Sequence, residues 1–466
     1  MTEKVNVSRV FSEIIEKTTY EDLDSALLER MKIRFADGIG AMLEGRHGLG
    51  NDLLLKLMRQ YGGAPEATVA NYGDKIPALN AAMVNSMQMR SNDFEPCHAG
   101  NKTGEGTPSH IASCLNPAAF AVAERERSTG KEIMTAVAVA DDLGSRLNES
   151  MGFLSSNVFD GTGTVNGMAA AAAAAKLNKM SAEQIHNTFG ICVNCINGTM
   201  ASTLERSLLF KFPTANAARN GIFAADLGRL GYEGLEDPIN GLRGFYDMFG
   251  NNPDVDKMLA DAGDIFYGEI LIKPYAGCCA THQNIHAVLD ATGGKAYGPE
   301  EVREIRSHML KNKTHIVGGI LDPETINQPD APFTIMATTC NAVLHGGVWP
   351  EYETLDALHS DDFRAMLGKY TQLADIDPIT DDYWAFVEIE LTDGTVLSAK
   401  YGKIRPGMMT GSEPLSMDYI KDKFLRNAKF GGVVSEKAAE EIWEMCLNFE
   451  QLDSIDALMK LVVPVK

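Results

Sequence analysis

Basic residues are scarce in this 466-residue chain: 42 Lys and Arg stand against 63 Asp and Glu, a formal charge of −21. That shortage removes the basic footprint needed by phosphate backbones and anionic membrane surfaces, so no nucleic acid and no membrane is expected as a partner. If the ligand is an anion, its pocket must be locally positive against a negative background. Long apolar runs are missing too. No stretch approaches the ~20 residues that span a bilayer, and the opening MTEKVNVSRVF lacks the charged-then-apolar pattern of a secretory signal. A soluble, cytoplasmic protein is the expectation. Cysteine is sparse, eight in all, which excludes a secreted disulfide scaffold. Internal repeats and low-complexity linkers are absent as well.

What is present is the composition of a folded protein, 45% apolar and 23% charged. Single cores stop growing at roughly 250–300 residues, so two domains are expected. From Asp22, Leu23, Leu27, Met31, Phe35, Ile39 and Met42 recur at helical spacing and Gly45 stops the run. Residues 107–126 and 164–178 read as further helices. The second of these carries Ala169 to Ala175, an alanine face that lets neighbouring helices approach closely in the middle of a bundle. Ser181 and Gln184 form a capping box, and Thr214 is placed to cap the next helix. No strand-like alternation interrupts this region.

After residue 268 the pattern changes. GEILIKP and VREIRSHML alternate apolar and polar, and WAFVEIELTDGTVLSAKYG reads as a hairpin turning at Asp393-Gly394. Helical periodicity returns beyond 403. The fold class is therefore mainly α: a helical domain over 1–267, a smaller inserted α+β domain over 268–402, and a helical segment over 403–466 that packs back on the first.

Three polar clusters carry candidate chemistry. In RSNDFEPCH, Asp93 follows a helix, and His110 opens the next one; the pair can converge on one cleft as proton relay and acid–base group, or serve as a helix cap and a loop histidine. Arg206 and Lys211 precede a helix N-terminus, a setting suited to a carboxylate, although solvated charges fit the spacing nearly as well. KPYAGCCATH places Lys273 and His282 on two sides of an irregular loop. His286 lies one turn after His282, but the pair lacks a further ligand at a sensible offset, and a surface His286 is the plainer reading. The CxxC of Cys192 and Cys195 sits in an apolar run, where small buried residues explain it better than a metal.

At these clusters the sequence resembles the MmgE/PrpD family of 2-methylcitrate dehydratases, cis-aconitate decarboxylases and iminodisuccinate epimerases. FADGIGAML, SNDFEPCH, SHIASCLNPAAFAVAE, GTVNGMAAAAAAAKL, NAARNGIFAADLGRLGYEG, IKPYAGCCATHQNIHAVLDA and PFTIMATTCNAVLHGGV follow the family's order along nearly the whole chain. The resemblance implies a helical domain with an α+β lid, a homodimer, a cleft between the domains, and a small polycarboxylate substrate. It also implies work without a metal or organic cofactor, through proton transfer beside a carboxylate. It assigns catalytic roles to Asp93, His110, His282 and Lys211, and to Lys273 a hold on backbone or substrate; with Lys273, the residues Asp160, Cys97 and His315 at positions where the family pattern differs, and Arg206 of the second cluster, are the candidate substrate contacts.

Departures from the family pattern matter equally. Asp160 stands where many members have a histidine, Cys97 where others have threonine, and His315 is the nearest ionisable group to the usual lid tyrosine. A carboxylate at 160 would repel an additional substrate carboxylate, which argues against cis-aconitate itself. About ten extra residues between Cys97 and Ser109 remodel the cleft rim and argue the same way. The leading expectation is a dehydratase. An epimerase or isomerase of a substituted succinate, with Asp160 binding an amino or imino group, and a decarboxylase are the alternatives. A non-catalytic ligand-binding homologue, and a redox or metal protein built on Cys192, Cys195, Cys278 and Cys279, remain as other classes.

Overall fold

The computed structural model describes residues 5–98, 109–152, 158–403, 406–409 and 414–464. The protein is mainly α. Its larger hydrophobic core is built by helices Val7–Lys17, Ser25–Glu44, Ala78–Met89, Ile111–Glu126, Gly130–Ser150, Val165–Leu177, Ala182–Cys192 and Phe212–Arg229. Local signals start and stop them as the residues dictate. Asp24 caps the second helix by accepting from the Leu27 amide at 2.8 Å, and Gly45 ends it. Ser181 and Gln184 make the capping box of Ala182–Cys192.

The alanine helix Val165–Leu177 runs through the middle, with Ala169 to Ala175 fully buried. Phe212–Arg229 crosses it closely. A β-carbon on Gly221 would lie 2.6 Å from that of Ala170, so only glycine permits the approach. Two local expectations differ. Thr214 is not a cap; the helix starts three residues earlier, at Phe212, with Pro213, whose fixed φ suits a helix start, in its first turn and Lys211 in the cap position. The helical region also contains two-residue strands, Ala67–Thr68 with Lys75–Ile76 and Cys97–His98 with Ile270–Leu271. They are too short to leave a periodic pattern.

A second, separate hydrophobic core gathers residues between Tyr275 and Tyr401, joined by Phe94. It contains a four-stranded sheet in the order Tyr370–Ile376, Val302–Leu310, Tyr383–Leu391, Val396–Gly402; the first pair is parallel and the others antiparallel. The hairpin turns at Asp393-Gly394, where Gly394 takes φ +91°. Helices His282–Thr292 and Ile335–His345 belong to the same core.

Beyond residue 416 the chain returns. Helices Met417–Gly431 and Glu436–Leu447 bury Ile420, Phe424, Ile442 and Trp443 in the larger core, against Ser25–Glu44. Lys423 fastens this return. Its ammonium pairs with Asp37 at 2.8 Å and donates to the Phe94 carbonyl at 3.0 Å, all fully buried. The segment around residue 94 is thereby held where the two cores meet.

Candidate active site

Four stretches of chain converge beside Asp93. Helix Ala78–Met89 ends at Arg90, and a tight turn follows in which Asp93 adopts φ +50°, a left-handed conformation that costs a non-glycine residue about 1 kcal/mol. The short strand Cys97–His98 then pairs with Ile270–Leu271, which delivers Lys273. His98 and Ser109 exchange backbone hydrogen bonds at 2.9 and 3.2 Å, which sets His110 beside Cys97 as the cap residue of Ile111–Glu126.

The Lys273 ammonium donates to both the main-chain oxygen and the carboxylate of Asp93, each at 2.5 Å. Two bonds to one residue hold the left-handed turn in place. Arg90 pairs with the same carboxylate and lies 3.3 Å from Glu95. Glu95 in turn accepts from His110 Nδ1 at 2.8 Å, with Asp93 3.5 Å from that nitrogen. Asp93 and Glu95 are completely buried, whereas the His110 side chain keeps 18% exposure.

Burial by itself would raise both carboxyl pKa values. The Arg90 guanidinium, Lys273 and His110 outweigh it, holding Asp93 well below the usual range and Glu95 at about 2. Both acids are therefore anions, and the Nδ1 proton of His110 points at one of them. The tautomer so selected leaves the lone pair on Nε2. A base with an oriented imidazole and a carboxylate behind it is suited to move a proton and to carry the positive charge that results.

Asp93, Glu95 and His110 also present ligand-type atoms within 4.8 Å of one another. Their two negative charges are already matched by Arg90 and Lys273, so a divalent cation there would sit among like charges. The set fits a proton-handling site better than a metal. The His282–His286 pair is not a ligand set either. His286 is half-buried, with Nδ1 2.9 Å from the Tyr275 hydroxyl, rather than a surface residue.

The other residues singled out in the sequence fall in varied places. Of the two roles open to Lys273, holding backbone or holding substrate, the structure shows the first, with its ammonium on the main chain and carboxylate of Asp93. His282 reaches the same neighbourhood but is 1% exposed, with Nε2 on the Gly277 carbonyl at 3.2 Å. Burial and then Lys273 push its pKa down to about 3, so it is neutral and shapes the loop. Asp160 caps the turn Gly161–Gly163 by accepting from the Thr162 amide at 2.9 Å, a local role that sequence reasoning assigned to substrate. Arg206 lies 3.3 Å from Asp330 and joins the two cores at the rim. His315 is exposed on the turn of helix Thr314–Val317, which packs near Ala201–Leu204. Cys97 is buried 3.5 Å from His110 Nδ1. The insertion after Cys97 lies largely at 99–108, outside the described residues.

Glu95 is the functional residue the sequence reading passed over. Its signal was present as the second acid of SNDFEPCH, in the segment likened to an Asp-rich motif.

Lys211 is fully buried, and its ammonium donates to the Leu49 carbonyl at 2.7 Å. Among the described residues no carboxylate lies within ion-pairing distance of it. Burial, partly offset by Glu44 and Asp52, lowers its pKa to about 7. A lysine so depressed is charged below that pH and neutral above it. If it binds a substrate carboxylate, KM is expected to rise with pH above 7, by up to about tenfold per unit. Lys211→Arg should flatten that rise, because a guanidinium stays charged. Steady-state kinetics between about pH 6 and 8 check this.

The fold is mainly helical with two hydrophobic cores, and a buried carboxylate–cation cluster lies beside a partly exposed imidazole. Comparison with known sequences gives the family. The MmgE/PrpD N-terminal domain matches residues 9–258 and the MmgE/PrpD C-terminal domain matches residues 275–451, and the chain belongs to the MmgE/PrpD family. It is 28% identical over 500 residues to the cis-aconitate decarboxylase-like protein oryM of Aspergillus oryzae, covering 99% of this chain and 98% of that protein. It is 23% identical over 474 residues to a cis-aconitate decarboxylase of Aspergillus terreus, covering 96% and 94%. With the Homo sapiens cis-aconitate decarboxylase it shares 22% over 483 residues, covering 98% and 94%. Among the described residues no helix is long and apolar enough to cross a membrane.

Proposed function

We propose that this protein is a lyase of small di- or tricarboxylates, in which His110 Nε2 moves a proton at a carbon next to a carboxylate. The observation that carries the reading is the 2.8 Å contact of His110 Nδ1 with buried, ionised Glu95, which orients the imidazole. Asp93, clamped by Arg90 and Lys273, keeps the backbone of that segment in place. Lys211 supplies the charge for a substrate carboxylate. The α+β core serves as the lid, reaching the site through Lys273 and the loop before His282. A homodimer belongs to the same proposal, and Leu209, Phe212 and Phe223 offer exposed apolar side chains for its interface.

The two lyase reactions use the imidazole in opposite senses. In decarboxylation the C–C bond to the leaving carboxylate breaks, CO2 departs, and the imidazolium returns a proton to the resulting carbanion. In dehydration the neutral imidazole takes the proton and hydroxide leaves. Two of the relatives named above are cis-aconitate decarboxylases and the third is decarboxylase-like by name, so decarboxylation takes precedence over the dehydration expected from sequence. The argument against cis-aconitate weakens as well, because the Asp160 carboxylate is engaged in capping.

The test is incubation in D2O with cis-aconitate, hydroxy-tricarboxylates and substituted succinates, followed by proton NMR. The expected result is loss of CO2 or water from one of them, abolished in His110→Ala. Exchange and racemisation of an α-proton without loss of either group would replace the lyase by an isomerase. Ligand binding with no turnover of any kind would leave a non-catalytic homologue.

A further inference from the structure

Two cysteines that the reaction scheme does not use face each other across the junction of the cores. Cys97 is 1% exposed and lies on the short strand that follows Asp93. Cys279, partly exposed, lies in the loop between Lys273 and the helix His282–Thr292. With Leu271 and Met408 they form a small apolar cluster of their own. The Cys97 sulfur lies 3.5 Å from His110 Nδ1, Cys279 packs against the same cluster, and the Lys273 ammonium is a neighbour of both. All eight cysteines are reduced, so the pair is a dithiol.

We propose that Cys97 and Cys279 are a peroxide-sensitive modification site, whose disulfide fastens the α+β core to the helical core beside His110. The roles of the two sulfurs are unequal. The neighbouring Cys97 thiol, aided by Lys273 and opposed by burial, draws Cys279 down to about 6, so it is the thiolate at neutral pH. Burial pushes Cys97 well up, and it remains the thiol. A partly exposed thiolate next to a cation is the form that reacts with oxidants.

The Cys279 thiolate attacks one oxygen of hydrogen peroxide. The O–O bond breaks, and hydroxide leaves to become water with a proton from the medium, giving a sulfenic acid. Cys97 then loses its proton, and its sulfur attacks the Cys279 sulfur. The S–O bond breaks, a second hydroxide leaves as water, and the S–S bond forms. Two thiols have lost two electrons and one peroxide has become two waters. The link joins residues 182 positions apart and sets a covalent strap beside His110.

The test reads masses and is independent of the lyase proposal. The full-length protein is treated with stoichiometric hydrogen peroxide, alkylated, and digested without reductant. The expected product is a peptide pair linked through Cys97 and Cys279, released by dithiothreitol. In Cys97→Ala the resolving thiol is gone, and dimedone should label Cys279. Circular dichroism of that variant shows that it remains folded. Oxidation that begins at Cys195 or Cys278, or a Cys279 that stays alkylatable while other thiols react, would overturn the proposal.

Discussion

His110→Ala is expected to lower kcat on the carboxylate substrate by about 10²- to 10⁴-fold, the usual contribution of a positioned acid–base group. KM should change little, because the imidazole handles a proton rather than holding the substrate. The fold should survive, since the side chain is partly exposed and its one strong partner, Glu95, keeps Arg90 as counterion. Glu95→Gln offers the complementary measurement. It keeps the shape and removes the negative charge behind the oriented imidazole, so kcat should fall while the protein stays folded. Equal kcat values for wild type and His110→Ala at every pH would remove the histidine from the chemistry.

Asp93→Asn should destabilise the protein by about 3–5 kcal/mol, measured as a fall in the urea midpoint. Removing one partner of a buried ion pair leaves an uncompensated charge, and here Lys273 loses its carboxylate while Arg90 keeps only Glu95. Asparagine tolerates the left-handed conformation at φ +50°, so the loss reports electrostatics rather than backbone strain. Combining it with Lys273→Met should recover part of the stability. The effect depends on pH with a definite sign. The Asp93 carboxyl has a folded pKa below the ordinary 3.8, so its contribution is complete above that value and disappears as pH falls toward the lower folded one. The difference between wild type and Asp93→Asn should therefore be constant near neutrality and shrink in acid. A constant difference down to strongly acidic pH would contradict the ion-pair account.

These two residues stood out in the sequence because each lies at a helix end, where local pattern and capping rules locate side chains with some accuracy. Asp93 follows Ala78–Met89 and His110 precedes Ile111–Glu126. Lys273 and His282 were equally visible, and packing decided their roles. Lys273, open to backbone or substrate, holds the backbone of Asp93, and His282, expected near substrate, faces protein. A buried lysine and a buried histidine look the same in sequence as exposed ones when the residues that cover them lie far along the chain. Asp160 shows the reverse case: it was expected to meet substrate, yet its carboxylate serves the turn that immediately follows, a local role compatible with Asp-Gly-Thr-Gly.

The chain's own residues determined the helices, their caps, the hairpin at Asp393-Gly394, the return of the last helices, and the motifs that carry the family resemblance, because these depend on periodicity and on neighbours a few positions away. Only the tertiary structure decided which charges meet. Lys273 is 180 residues from Asp93 and Lys423 is 329 from Phe94, and no local rule relates such distances. Whether a cation neutralises a carboxylate of the protein or waits for one on a ligand is settled by packing, since burial makes an unpaired charge costly and the fold must bring its partner to it.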